Sequence, residues 1–421
     1  MIKHLFKIIW SQRKTNSWIF AELLIVVCAV WWMIDQSYVD LRTYYSPMGY
    51  DISNSWRFKL DFFNPDAPGY IPAEKYTSTS GEDLVKLQAQ IKQHPAVEDV
   101  CISMASAPYS FGNSWTNVRP VDGDTIPNDL DFQCRYVSPE YFDMFRIKDI
   151  YGNSITHQLE GKHNPVIVSE DMALKFFHTK DVRGRQVKYP AGDGEHMTIA
   201  AVSVPYRNNN FLRSEAFFYK LITSQNTNNY FGGNNAKYAE LCVRMKQHFS
   251  QEEMNDFLRE MNDRLIVNNL HVYSANSIVF FRDIQINDKE NEQSRKLSLM
   301  LFLLINVLFG IIGTFWLRGQ SRYSEIGLRI ALGANRSSIN YFMYIEGLLI
   351  LFLTIPFTIA FVFNMLLMDM PDTYRLPYTI GRFLITYCGT YLLMSAMICI
   401  GIWFPARKSQ QVTPAEALHY E

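Results

Sequence analysis

The sequence predicts a membrane protein: four transmembrane α-helices plus a large α+β domain between the first and the second. Three observations carry this. Apolar residues gather towards the two ends of the 421-residue chain, and the middle is polar. Four apolar segments reach or approach the ~20 residues that cross a bilayer. The polar middle alternates between strand-like and helix-like patterns.

Residues 1–16 come first. In IKHLFKIIW, Leu5, Phe6, Ile9 and Trp10 share one side, with Lys3 and Lys7 on the other. A short helix lying in the inner interface fits that pattern. So does an N-terminal extension of the first span. The first span, 17–36, holds SWIFAELLIVVCAVWWMID. No small-residue cleavage site follows Trp31 and Trp32, so an uncleaved anchor is expected. The outer domain is then 37–296, the second span 297–317 and a basic connection 318–338. The third span is 339–367, a short outer loop 368–382, the fourth span 383–404 and a tail 405–421.

Basic residues set the orientation, because inner loops carry an excess of Lys and Arg. Lys3, Lys7, Arg13 and Lys14 precede the first span. Arg318, Arg322, Arg329 and Arg336 lie between the second and third, and Arg407 and Lys408 follow the fourth. In the loop between the third and fourth spans, Asp369, Asp372, Arg375 and Arg382 balance. Both termini are therefore expected in the cytoplasm and the large domain outside. Trp18, Trp31, Trp32, Trp316 and Trp403 fall near the expected interfaces, a depth that suits indoles.

In the outer domain, Gly81–Gln93 reads as a helix, with Leu84, Leu87 and Ile91 at helical spacing. Val97–Ser103 reads as a strand, and so does Tyr136–Ser138. A helix over Pro139–Phe145 follows, with Ser138 as its cap. Strand Pro165–Ser169, helix Glu170–Phe177 and strands Gln186–Tyr189 and Met197–Val204 come next. The last unit is strand Tyr238–Met245, helix Gln251–Leu265 capped by Ser250, and strand His271–Ser274. Two subdomains fit within this length. Gly112–Asp131 and the Asn-rich Ser224–Asn235 read as surface loops. Phe111 and Trp115 either form a binding surface or pack onto their own domain.

Composition excludes several functions. A formal net charge of -1 gives no basic face for nucleic acid. The six cysteines include no CxxC, so no zinc site is expected. Cys101, Cys134 and Cys242 stand in the outer domain as buried free thiols, or with one disulfide among them. His157, His163 and His196 read as surface residues, and no catalytic constellation stands out. No GxxxxGK[ST] phosphate loop occurs in the sequence.

The basic connection has parts. From Ser321 to Leu332, Tyr323, Ile326 and Ile330 recur near helical spacing. Glu325 stands one turn before Arg329, an order that supports a helix. Gly333 can end that helix, and Asn335 can cap the span that follows. The product is a short helix, a hinge and a spanning helix in succession. Either force applied to the short helix passes to the long one, or an amphipathic helix simply rests at the interface.

Two acids, Glu22 and Glu346, lie inside expected spans. A charge at the bilayer centre costs about 2.5–3.5 kcal/mol on insertion scales, so both are candidate functional residues. Pro356 is placed to kink the third span, and Gly310 and Gly313 to permit close helix contact in the second.

These segments resemble a known family. SRYSEIGLRIALGANRSSINYFMYIEGLLI is similar to the signature of MacB/FtsX-type ABC transporter permeases. The matching positions are Arg322, Glu325, Ile326, Gly327, Arg329, Ala331, Leu332, Gly333, Ala334 and Glu346. The C-terminal PARKSQQVTPAEALHYE resembles the family's second mark, through Pro405, Ala406, Arg407, Lys408, Pro414, Glu416, Ala417 and Leu418. The layout of spans around an outer domain is similar too. Ile330 departs from the pattern, where a second basic residue is usual.

The resemblance implies a noncatalytic permease of a bacterial inner membrane, with a periplasmic domain. The short helix would seat on a cytoplasmic ABC ATPase, expected as a separate protein that binds ATP and Mg; the permease itself would bind no cofactor. A homodimer, or a pair with a similar permease, is implied. So is mechanotransmission to the periplasmic domain for efflux of drugs or peptides, with a periplasmic adaptor and an outer-membrane channel as further partners. Lipoprotein extraction, and signalling to a periplasmic cell-wall hydrolase, are the alternatives within the family.

Overall fold

The computed structural model describes residues 13–110, 114–121, 131–189, 196–321 and 336–409. In chain order it begins with helix α1 (Arg13–Tyr44), strand β1 (Ser55–Phe62), α2 (Ser80–Lys92) and β2 (Val97–Met104). Next are β3 (Ser114–Asn117), β4 (Arg119–Pro120), β5 (Asp131–Val137), α3 (Tyr141–Met144) and α4 (Thr156–Leu159). Then come β6 (Pro165–Ser169), α5 (Glu170–Phe177), β7 (Gln186–Lys188), β8 (Met197–Ser203) and β9 (Phe217–Leu221). α6 (Thr227–Phe231), β10 (Glu240–Met245), α7 (Gln251–Glu260), β11 (Ile266–Val267) and β12 (Leu270–Ser277) complete the middle. The last helices are α8 (Ile278–Ser321), α9 (Arg336–Leu353), α10 (Ile355–Leu367) and α11 (Ile380–Ser409).

The chain divides into two units, one of 1–44 with 289–421 and one of 45–288. The fold class is as the sequence predicts. Four helical stretches are long and apolar enough to cross a membrane: Ser17–Tyr44, Ile278–Leu317, Tyr341–Leu367 and Ile380–Arg407. Three of these stretches outrun the expected spans, the first two by most, because hydropathy marks only their apolar part. In α8 the polar start is held helical by Lys289–Glu292 and Glu292–Lys296 pairs one turn apart.

In the membrane unit, Leu23, Val27 and Val30 of α1 pack with Val307 and Ile311 of α8 and with Ile398 and Ile402 of α11. Phe302, Phe309, Phe363 and Leu392 are exposed, as lipid-facing side chains are. Trp31, expected at an interface, is buried and meets the Phe361 ring edge-on at 6.0 Å. The third span does break near Pro356. Pro356 has no N–H for the preceding turn and its ring crowds the carbonyl four residues back, and here α9 stops at Leu353 and α10 starts at Ile355. Hydroxyls bind carbonyls on either side of the break. Thr354 donates to Leu351 O at 2.6 Å, and Thr358 and Tyr387 donate to Ile355 O at 3.0 and 3.2 Å.

The outer unit is built on one twelve-stranded sheet, in the order β11-β12-β1-β10-β2-β5-β9-β6-β8-β7-β4, with β3 on β5. It has two halves. In the first, α2 and α7 cover β1, β10 and β2, where Leu84, Leu87, Ile91, Phe58 and Val243 are fully buried. Each such side chain contributes about 1.5–3 kcal/mol. Capping boxes start both helices, Thr79 with Glu82 and Ser250 with Glu253. In the second half, Met172 and Phe176 of α5 pack on Val166, Val168 and Phe218. The halves meet where β2 pairs β5, through Ser103↔Val137 and Met104↔Tyr136.

Several local expectations fail. Ser138 does not cap α3; its hydroxyl accepts the Ile102 N–H instead, at 3.1 Å, and α3 starts only at Tyr141. The Asn-rich segment is not a loop. It forms α6 and a 3-10 turn over Gly233–Tyr238, because Phe231 and Ala236 are buried in the core. α7 ends at Glu260, short of Leu265, and a 3-10 turn follows. Strands β1 and β9 have no counterpart in the sequence reading. Around β3, part of the expected loop is strand, and Trp115 stands exposed. His157, His163 and His196 are exposed as expected.

Candidate functional site

The coupling residues Arg322, Glu325, Ile326, Gly327, Arg329, Ala331, Leu332, Gly333 and Ala334 lie outside the described residues, as do Pro414 and Glu416. Lys408 is in α11, but its side chain is outside the described set. What surrounds that segment is described: α8 leads into it at Ser321 and α9 leaves it at Arg336.

Both intramembrane acids sit where helices come close. Glu22 on α1 lies over Gly310 on α8; a Cβ there would stand 2.4 Å from its Oε1. Only glycine leaves that carboxylate its place. Gly313 has no such neighbour, so the expected close contact is made by Gly310 alone of the two. Glu346 is buried, 1% exposed, on α9. The adjacent Gly347 faces Ile402 and Ile398 of α11, which a Cβ would meet at 2.5 and 2.9 Å. Pro405 and Arg407 lie on α11, where the Arg407 guanidinium stands over the Trp403 ring at 5.1 Å.

A larger constellation was not legible in the sequence. It lies at the far ends of the spans from the coupling segment. Asp35 of α1 and Arg382 of α11 form a buried two-pronged pair, with Nε to Oδ1 at 2.9 Å and Nη2 to Oδ2 at 2.5 Å. They are 0% and 1% exposed. The third guanidinium nitrogen donates to the carbonyls of Asp372 and Leu376, at 2.9 and 2.7 Å. One turn beyond Asp35, Asp40 accepts from Arg375 at 2.5 Å, from Lys296 of α8 at 3.4 Å and from Gln293. Arg375 also donates through Nε to Asp372 at 2.5 Å.

The network therefore joins α1, α8, α11 and the loop before α11. Burial works to raise the Asp372 carboxyl, but the Arg375 N–H and guanidinium outweigh it and hold it below the usual range. Each of the three guanidinium nitrogens of Arg382 has an acceptor, which helps a buried charge pair to be tolerated. The arrangement has no nucleophile or proton shuttle. Its chemistry is mechanical: it fixes helix ends to one another. Among the described residues, no group of three or more His, Cys, Asp or Glu is placed to hold a metal ion.

No protein-family model matches the chain. Among curated proteins it is 25% identical over 302 residues to the macrolide export ATP-binding/permease protein MacB 1 of Yersinia pestis bv. Antiqua, covering 68% of this chain and 43% of that protein. It is 29% identical over 145 residues to a syringafactin export ATP-binding/permease protein, SyfD, of Pseudomonas syringae pv. syringae, covering 31% and 20%. The chain thus spans less than half the length of these relatives.

Among solved structures, the periplasmic region of MacB from Actinobacillus actinomycetemcomitans aligns with 56% of this chain and 94% of its own, at 13% identity and a TM-score of 0.33. The extracellular domain of the transporter YknZ from Gram-positive bacteria aligns with 52% and 100%, at 17% identity and a TM-score of 0.30. These likenesses are loose, and the fold described above stands without them. The sequence relatives bear out the resemblance carried by the motifs: this is a MacB/FtsX-like chain, akin to ABC transporter permeases.

Proposed function

We propose that this chain is the permease subunit of a MacB-like ABC exporter. It transmits ATP-driven motion from a cytoplasmic ATPase to a periplasmic domain, for efflux of drugs or peptides. It works as a homodimer in a bacterial inner membrane with both termini inside, and catalyses nothing itself; ATP and Mg²⁺ belong to the ATPase.

The observation that carries this reading is the motif from Arg322 to Ala334, placed between the second and third spans of a chain whose curated relatives are export ATP-binding/permease proteins. The ion network supports the mechanical part. Helix ends locked by Asp35–Arg382 and Asp40–Arg375 move together, so a push at the inner ends emerges as motion of a body rather than of one helix.

The test is Glu325→Lys in the full chain. The variant is expected to reach the membrane at normal level, to lose co-purification with the ATPase and to lose export. Retained ATPase binding and retained export would overturn the coupling assignment. A pull-down from native membranes tests the cargo class. A periplasmic adaptor with an outer-membrane channel is the expected catch, and a cell-wall hydrolase in its place would sink the exporter reading.

A further inference from the structure

Strands β2 and β10 are antiparallel, and their register sets Cys101 directly opposite Cys242. Both residues are 0% exposed and belong to one core cluster. The neighbouring pairs Ile102↔Leu241 and Val100↔Val243 point to the opposite face, into the other core. The pairing type follows from Ile102. Its carbonyl accepts from Ser138 N at 2.8 Å and its N–H goes to Ser138 Oγ at 3.1 Å, both away from β10. Cys101 therefore turns its backbone groups towards β10, which makes Cys101↔Cys242 a hydrogen-bonded pair. Such pairs hold their Cα atoms about 5.5 Å apart. Disulfides span Cα distances of ~4.4–6.8 Å and Cβ distances of ~3.5–4.5 Å, so closing the bond draws the two facing Cβ atoms, ~4.5–5.5 Å apart across such strands, about 1 Å nearer than in the free thiols seen here. No register shift interrupts the pairing on either side of the two cysteines.

Cys134 is excluded as a partner. It lies in a different cluster and opposes Ser114 of β3.

We propose that Cys101 and Cys242 close to an intramolecular disulfide as the outer unit folds in an oxidising compartment. This rests on the outward orientation given above. In the folded state burial, then the adjacent Cys242 thiol, pushes the Cys101 thiol well above its ordinary range, so it is unreactive once the sheet has closed. Oxidation belongs to folding. One thiolate attacks the disulfide of a carrier, a thiol–disulfide oxidoreductase or oxidised glutathione, and forms a mixed disulfide. The second thiolate displaces the carrier thiol. The protein S–S bond forms, the carrier disulfide is reduced by two electrons, and two protons leave the cysteines.

The test alkylates the full chain in native membranes, denatured without reductant, with a maleimide–polyethylene glycol, and repeats this after reduction. The wild type is expected to gain two adducts on reduction. Cys134→Ser is expected to gain two as well, and Cys101→Ser and Cys242→Ser none. Orientation is read separately, from Ser224→Cys, an exposed outer-unit position, with a membrane-impermeant maleimide on spheroplasts. If that cysteine labels and the wild type gains no adducts, the pairing is overturned while the orientation stands. If it does not label, the orientation fails, and refolding from urea with oxidised glutathione decides the pairing: two adducts gained on reduction support it, none overturns it.

Discussion

Asp149 shows how one residue holds a turn of the outer unit. It is 1% exposed and accepts the N–H groups of Tyr151 and Asn153 at 2.9 and 2.7 Å, with the Gln158 amide at 2.9 Å. Burial opposes its charge, but these bonds outweigh burial and set its carboxyl below the ordinary range. The sign follows. An unfolded Asp titrates at about 3.9. The folded value is lower, so the contribution is complete above the unfolded value and fades as pH falls through the folded one. Asp149→Asn is expected to lower the unfolding midpoint at neutral pH, with the gap closing below about pH 4. Thermal melts of both proteins across pH 3–7 check this, and a gap of constant size would refute the linkage. Nothing in the sequence marked Asp149, since its partners are backbone groups of a turn whose conformation only the fold defines.

At the scale of elements, the joint between α1 and α11 matters most. Asp35 read as the polar residue that ends a span, and Arg382 as one charge of a balanced loop. They are 347 positions apart, so no local pattern could pair them. Taking one partner from a buried pair costs about 3–5 kcal/mol, and replacing both with apolar residues costs far less. Arg382→Leu is expected to destabilise the protein strongly, and Asp35→Leu with Arg382→Leu to recover much of the loss. A double-mutant cycle on detergent-solubilised protein measures it; additive losses would mean that the two side chains do not act as a pair. The same scale shows what sequence does reveal. Helices α2, α5 and α7 were legible from local signals, the spacing of Leu84, Leu87 and Ile91 in α2 and the Ser250 cap of α7 among them. α6 was missed because Asn-rich composition imitates a loop, and only its burial of Phe231 makes it a helix. β9 (FFYKL) was missed because a strand buried on both faces shows no alternation.

For the molecule as a whole, the four spans and the domain between them were legible, since lipid imposes long apolar runs that water-soluble folds do not need. The single sheet was not, because its order depends on pairings between distant strands. The outer unit 45–288 carries its own cores, Phe58 and Leu241 in one half, Phe176 and Phe218 in the other. Expressed alone, it is expected to fold and melt cooperatively, as circular dichroism would report. A fragment without a melting transition would mean that the membrane unit is needed to complete those cores.

The neighbourhood of β2 and β10 has a further consequence. The polypeptide leaves the first half of the sheet through β2 and re-enters through β10, and these strands are adjacent. The chain between them, which carries the second half and also α6, thus begins and ends side by side. Insertions between close ends are those that folds tolerate best. Ser103 opposes Glu240, so the gap a splice must bridge is that of a hairpin. Replacing the intervening chain by an Asn-Gly turn also removes Phe231 and Ala236 from the first core and α3 from the face of Cys101 and Cys242, so the shortened protein is expected to melt well below the intact outer unit. Close ends let a lineage vary the strands of the second half only where α6 and α3 still cover the two faces of β2 and β10.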